Sequence, residues 1–276
     1  MKKRLPSIPY IGGKNRVAAI IGRHLRATGA DVLVDGCGGS GSIITHGGFV
    51  KRVYNDVDGD MTNLFRVISG RTSRRELLAQ ARWMPGGRRL YDDWRGIYVH
   101  GGNSFCLIAD PVQRALATLY RLNYAYGGKI RSGGFLVSFS EDRREVKEPS
   151  AWFSRLRRMV ALGEHWRNTV IEELPYQQLI HAYGRRPGVV LYFDPPYFGT
   201  ENYYSRKWTE QDHIDLASAL SAAPAPAAVS YYDCPQARAL YPEERWEYLT
   251  IGMTKNVSNG KSIPKPKTVE VLIIKK

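Results

Sequence analysis

Asp194-Pro195-Pro196-Tyr197 joins a carboxylate, two prolyl carbonyls and an aromatic ring within four residues. Two prolines cannot continue a sheet ladder or enter a helix interior, so they fix a stiff turn with no backbone N–H of its own. The acid and carbonyls can accept the hydrogens of a flat amine, and the ring offers a stacking face. A second cluster, Gly36-Cys37-Gly38-Gly39-Ser40-Gly41-Ser42, follows Asp35. Its glycines permit a tight turn and close backbone approach to a ligand, the pattern of a nucleotide-type loop. Asp56, 21 residues beyond Asp35, can accept two hydrogen bonds from a ribose diol. A third cluster, Pro9-Tyr10-Ile11-Gly12-Gly13-Lys14, places a cation after a Gly-Gly turn. No complete Gly-x4-Gly-Lys-Ser/Thr phosphate loop occurs, which argues against an ATPase. Each residue also has a plainer reading: Asp56 as a helix N-cap, Lys14 as a surface lysine, Tyr197 as core packing. Cys37 and Cys234 read as packing residues rather than nucleophiles.

The elements that would carry these residues follow from periodicity. Gly188 to Phe193 is apolar and β-prone, so Asp194 stands at the C-terminal end of a buried strand, the edge where open α/β sheets bind ligands. Asp31–Asp35 and Arg52–Asp56 read as strands. Helical spacing follows at Val17–Leu25, from Ile43, and through Met61, Leu64, Phe65 and Ile68. The order is βαβ, the start of a doubly wound sheet. Glu76–Trp83, Val112–Leu122 and Trp152–Leu162 read as helices, Asn103–Pro111 as a loop, and Tyr124–Ser140 as a turn plus hairpin. The βα pattern resumes at Thr169–Ile171. Helix Gln211–Leu220, strand Ala227–Tyr231, helix Gln236–Tyr241 and strands Trp246–Thr250 and Thr268–Ile274 close the chain, with a polar, proline-punctuated loop over Lys255–Lys267. The expected fold class is α/β, a Rossmann-like sheet interrupted by a mainly helical insert.

The chain of 276 residues carries a formal charge of +14, which favours a polyanionic partner. Between Arg66 and His165 there are 18 Lys+Arg against 9 Asp+Glu, most of that excess and nearly all of it arginine, the side chain suited to phosphate and guanine. Three cysteines without metal-ligand spacing fit a reducing compartment with no disulfide and no zinc or other metal. The basic N-terminus lacks the apolar run of a signal peptide, and no stretch is apolar enough to span a membrane. A cytoplasmic protein, monomeric or weakly dimeric, is expected.

Taken together, these motifs resemble the amino-group DNA methyltransferases of the Dam-like adenine family across nearly the whole chain. Tyr10, Gly12, Gly13 and Lys14 are similar to the aromatic-x-Gly-Gly-Lys segment that contacts S-adenosylmethionine. Asp35 to Ser42, with Gly39, Gly41 and Ser42, resembles the glycine motif under the cofactor's methionine part. Asp56 matches the ribose acid, and Asp194, Pro195, Pro196 and Tyr197 match the catalytic motif. His213 with Leu216 and Leu220, then Ser230 to Asp233, and Val269 to Ile273 resemble later motifs. Tyr124 to Arg131 resembles the segment that carries a guanine-reading arginine. Three departures stand out: Gly36-Cys37 replaces the usual Pro-Phe, the adenine-end segment Glu172 to Tyr176 lacks the acid often found just before its aromatic residue, and Gly127 falls where a wedge-like Asn is usual.

The resemblance implies methyl transfer from S-adenosylmethionine to the exocyclic amine of adenine in DNA, at specific or loosely specific sites, on a base flipped from the duplex. Asp194, also counted among the cofactor contacts, and the Pro195 carbonyl would hold the amino hydrogens while Tyr197 stacks on the base. Lys14 would pair with an acidic group at the cofactor end. Residues 1–65 would form the cofactor-binding half, 66–165 the target-recognition insert and 166–276 the catalytic half. Tyr124, Tyr126, Lys129, Arg131, Arg155, Arg157 and Arg158 would contact DNA. The motif also suits the exocyclic amine of cytosine, or RNA, and a non-catalytic DNA-binding protein is the alternative of another class. A restriction–modification, phage or mobile-element, or housekeeping setting is left open.

Overall fold

In the computed structural model, the residues described are 5–128, 133–139, 146–201, 208–254 and 268–276. β1 (Val32–Asp35) pairs in parallel with β2 (Lys51–Asn55) on one side and β4 (Val189–Phe193) on the other. β3 (Thr169–Glu172) extends the sheet beyond β2, and β5 (Ala227–Tyr232) pairs in parallel with β4. β7 (Thr268–Lys275) inserts antiparallel between β5 and β6 (Trp246–Thr254). The order is β3-β2-β1-β4-β5-β7-β6, a seven-stranded, mostly parallel sheet as expected. The chain winds outward from β1 in one direction and then returns to lay β4 on its other side. The crevice between the C-terminal ends of β1 and β4 is therefore the topological switch point, where ligands bind in such sheets. Asp35 and Asp194 stand at those two ends.

Alternation along β1 sends Leu33 to one face and Val34 to the other. On Leu33's side lie α1 (Ala18–Ala27), the one-turn α2 (Ser42–His46), α3 (Gly59–Ser69) and the helices of the basic stretch: α4 (Arg71–Ala81), α5 (Arg88–His100), α6 (Pro111–Tyr124) and α7 (Lys147–Trp166). These share one continuous core, with Phe65 of α3 stacked on Trp166 of α7 at 3.8 Å between ring centroids. On Val34's side lie α8 (Tyr176–Tyr183), α9 (Glu210–Ala222) and α10 (Pro235–Leu240). No helix among the described residues is long and apolar enough to cross a membrane.

Several elements differ from the sequence reading. α5 was not expected, because its buried face is made of Tyr91 and Tyr98 among arginines and aspartates rather than of aliphatic residues. α8 was likewise unread. The segment expected as a hairpin forms a 3-10 turn over Tyr126–Gly128 and two isolated bridges, Ala125 with Phe135 and Phe139 with Val146. Residues 129–132 and 140–145, and the whole Lys255–Lys267 loop, lie outside the described residues.

Candidate active site

The glycine loop is shaped first by two aromatic rings. A Cβ on Gly36 would sit 2.1 Å from the Phe193 ring, and one on Gly38 equally close to Tyr54. The Gly36-Cys37 pair thus makes room for Phe193, the last residue before Asp194. Gly39 and Gly41 take positive φ values of 45° and 64°, where a side chain is strained. Gly41 answers mainly to the fold, since a Cβ there would meet Trp166 at 2.3 Å. The loop is tied down from the next strand. Gly39 N–H donates to Asp56 Oδ2 at 2.7 Å, the Tyr54 hydroxyl donates to the Gly39 carbonyl at 2.9 Å, and Asn55 Nδ2 donates to the Gly36 carbonyl at 3.0 Å. The other Asp56 oxygen accepts from Asp58 N–H. The N-cap of α3 is Asp58, which accepts from Asp60 N–H, so Asp56 is left at the strand end.

Loop, strand ends and the N-terminal turn surround a cleft of about 980 Å³, open mouth included. Tyr10, Gly12, Gly13, Lys14, Asp35, Gly39, Ser42, Asp56, Asp194 and Pro196 line it; Gly41, Pro195 and Tyr197 do not. Tyr176, the aromatic of the adenine-end segment, lines the wall too, and side chains without a predicted role complete it: Ile43, Val57, Asp58 and Trp208. The rings of Tyr176 and Trp208 lie 5.4 Å apart and add an aromatic surface. Trp208 carries no motif of its own, so no local signal marks it. Asn15, next to the Gly-Gly-Lys turn, accepts a hydrogen bond from Ser42 and joins that turn to the loop.

The charged centre is built from three chain segments. Lys14, 6% exposed, directs its three ammonium hydrogens at Asp194 Oδ2 (2.6 Å), Glu270 Oε1 (3.2 Å) and the Gly12 carbonyl (3.0 Å). The Tyr197 hydroxyl lies 3.0 Å from Asp194 Oδ1 and 2.7 Å from Glu270 Oε1. Lys14 was expected to meet the cofactor, yet here its charge serves Asp194. The Tyr197 ring is nearly buried, edge-on to Tyr232 at 4.6 Å, rather than presented as an open platform. Burial would lower the Lys14 ammonium, but the Asp194 and Glu270 carboxylates outweigh it and raise it. Burial pushes the Asp194 carboxyl up, Lys14 pulls it down, and the Glu270 charge adds to the upward push.

Asp35 differs in kind. It is 1% exposed, and its Oδ1 has no hydrogen-bond partner among the described residues. Burial, with the charges of Asp194 and Asp56 behind it, holds its carboxyl well above the usual carboxylate range. A buried, donor-less carboxylate oxygen in a cleft wall suits a cationic ligand bearing N–H groups. Burial and the charges of Asp56 and Asp60 push Asp58 up to about 7. No group of side chains suited to a metal ion occurs among the described residues.

The residues expected on DNA divide. Tyr126 is exposed and Arg157 is exposed on α7. Arg158 lies half-buried against the carbonyl and hydroxyl of Ser154. Tyr124 is buried instead, stacked on Phe135 at 5.6 Å, because its turn packs into the core. Arg155 turns inward too: its guanidinium donates to the Ser7 carbonyl at 3.0 Å and to Asn123 Oδ1, and burial lowers it to about 10. Lys129 and Arg131 lie outside the described residues.

A family model for D12 class N6 adenine-specific DNA methyltransferases matches residues 10–252. Among curated relatives, a DNA adenine methylase of Serratia marcescens is 26% identical over 236 residues, covering 79% of this chain and 78% of that protein. One of Escherichia coli (strain K12) is 25% identical over 272 residues, covering 94% and 91%. One of Salmonella typhi is 25% identical over 253 residues, covering 87% and 85%.

Proposed function

The chain belongs to the D12 class N6 adenine-specific DNA methyltransferase family, and from that membership we propose how its own residues methylate adenine in DNA. The cofactor of the family, S-adenosylmethionine, supplies an electrophilic methyl group when bound. Tyr10, Gly12, Gly13, Gly39, Ser42 and the aromatic pair Tyr176 and Trp208 border the space that would hold it. Asp35 answers the cofactor's ammonium, and Asp56, which still has free lone pairs beyond its two backbone bonds, answers the ribose hydroxyls. What supports this fit is the donor-less buried oxygen of Asp35.

The observation that carries the catalytic reading is the ion pair at the strand end. Asp194, held by Lys14 and the Tyr197 hydroxyl, borders the cleft. The Pro195 carbonyl beside it is engaged by no donor among the described residues. These two acceptors take the two hydrogens of the adenine amine after the base leaves the duplex, orienting the nitrogen by electrostatics alone. Pro196 walls the cleft, and Tyr197 acts through its hydroxyl on Asp194 as well as through its ring. Residues 1–65 serve as the cofactor half, 166–276 as the catalytic half, and 66–165 recognise the target. In that middle part Arg131 reads guanine and Lys129, Tyr126, Arg157 and Arg158 hold the backbone. A monomeric or weakly dimeric, cytoplasmic enzyme without a metal fits this reading.

The test is transfer of labelled methyl from S-adenosylmethionine to plasmid DNA, followed by mapping of the modified base. N6-methyladenine is expected with the parent. With folded Asp194→Ala, transfer is lost while DNA binding persists. Near-normal turnover by that variant, or label on cytosine, would overturn the reading.

A further inference from the structure

We propose that Glu270 is a positioning residue of the transferase site: it is the second acceptor for both groups that occupy Asp194, and it holds Lys14 and Tyr197 in place when Asp194 turns to the incoming amine. The proposal rests on the reading of Asp194 given above.

Both oxygens of Asp194 are already engaged, Oδ2 by Lys14 and Oδ1 by the Tyr197 hydroxyl. An amine hydrogen must therefore share an oxygen that already accepts one bond, on its second lone pair. Tyr197 has one hydroxyl hydrogen and two acceptors in range, so it can serve only one at a time. Passing that hydrogen to Glu270 Oε1, the nearer of the two at 2.7 Å, frees Asp194 Oδ1 without leaving a donor unsatisfied. Lys14 is shared in the same way, and Glu270 supplies the second carboxylate its charge requires when Asp194 is drawn toward a ligand. Asp35, Cys37, Tyr192 and Tyr231 are the other titratable groups whose fields reach Asp194 or Lys14.

Two features of the strands aim Glu270 here. β7 runs antiparallel to β5, so its first residues lie at the C-terminal edge of the parallel strands, with Glu270 opposite Tyr232. On its other side the register with β6 shifts between Thr250 and Gly252, where Ile251 is the extra residue. Such bulges bend a strand and redirect side chains. Gly252 faces Glu270 there, and a Cβ on it would come within 3.4 Å of Glu270 Oε2.

The experiment uses the full chain, S-adenosylmethionine and a duplex substrate, with single-turnover rates measured across pH. Glu270→Gln is expected to fold and to bind S-adenosylmethionine within about twofold of the parent, while its rate falls about tenfold or more. The acid limb of its pH–rate profile moves to lower pH, because a negative neighbour that holds the Asp194 carboxyl up is gone. Tyr197→Phe/Glu270→Gln should show a combined loss smaller than the product of the single losses, since part of Glu270's action runs through the absent hydroxyl. A parental rate and profile in folded Glu270→Gln, or losses that multiply in full, overturns the proposal. If Glu270→Gln does not fold, Glu270→Asp repeats the test: its shorter arm cannot hold both groups, and a parental rate there overturns it equally. Asp194→Asn separates the two levels. If it transfers methyl normally, the reading of Asp194 fails. If it is inactive while Glu270→Gln behaves as the parent, only this inference fails.

Discussion

Lys14 Nζ lies 2.6 Å from Asp194 Oδ2, joining the Gly-Gly turn near the N-terminus to the acid at the end of β4. The contact brings the first motif of the chain to the proposed catalytic acid as well as to the cleft wall. On the proposed reading, the acid that meets the amine is already held by a full charge.

Tyr197→Phe should keep the ring but lower the single-turnover rate of methyl transfer by about tenfold to a hundredfold. Hydrogen bonds to charged groups contribute about 1.5–3 kcal/mol, and each 1.36 kcal/mol is a factor of about ten in rate. The acid limb should move to higher pH, since the hydroxyl helps to lower the Asp194 carboxyl. Tyr197→Ala should be worse still, as it also removes a ring packed on Tyr231 and Tyr232. A parental rate in Tyr197→Phe would assign the residue to packing alone.

Asp35→Asn should stabilise the protein and weaken the cofactor. The carboxyl is raised in the folded chain above its ordinary value of 3.8, so the fold retains a proton that the unfolded chain releases. Stability is therefore fully present at low pH and declines as pH rises from that ordinary value through the raised one. Asn removes the decline, and the melting temperature near neutral pH should rise by about 2 °C per kcal/mol gained in a protein of this size. Binding of S-adenosylmethionine to the parent should release protons, detected by calorimetry in buffers of different ionisation enthalpy. Parental affinity in Asp35→Asn would remove Asp35 from the cofactor site.

Asp56→Ala should cost about 1.5–3 kcal/mol of S-adenosylmethionine affinity for each charge-assisted hydrogen bond lost. Calorimetry should be paired with thermal melting, because Asp56 also accepts the Gly39 and Asp58 N–H groups. A lower melting temperature with unchanged affinity would make it a loop anchor only.

Arg155→Ala and Arg157→Ala should part company. The first removes the donor to the Ser7 carbonyl and to Asn123, and should destabilise by about 1–3 kcal/mol. The second should leave melting unchanged, weaken binding to all DNA, and reduce the slope of log affinity against log salt by about 0.9. Melting curves and DNA titrations at several salt concentrations decide between them. An unchanged salt slope in Arg157→Ala would take α7's exposed face off the backbone.

Some of this protein is settled by neighbours in sequence. The apolar run ending in Asp194-Pro195-Pro196-Tyr197 and the glycine run after Asp35 fix strand, turn and acid locally, because alternation, proline geometry and glycine freedom act over a few residues. The doubly wound order followed from the same signals, and with it the sheet edge that carries the site. What lies across the sheet was not legible. Glu270 reads only as one acid in a closing strand, and it reaches Lys14 because β7 inserts antiparallel beside β5. Trp208 walls the cleft without any motif to announce it. Tyr124 and Arg155 have the composition of a nucleic-acid surface, yet tertiary packing turns both inward. Composition records which groups are present, whereas burial depends on how helices α6 and α7 seat against α3. Local rules thus determined the reagents, and the long-range register of strands and helices decided which of them meet.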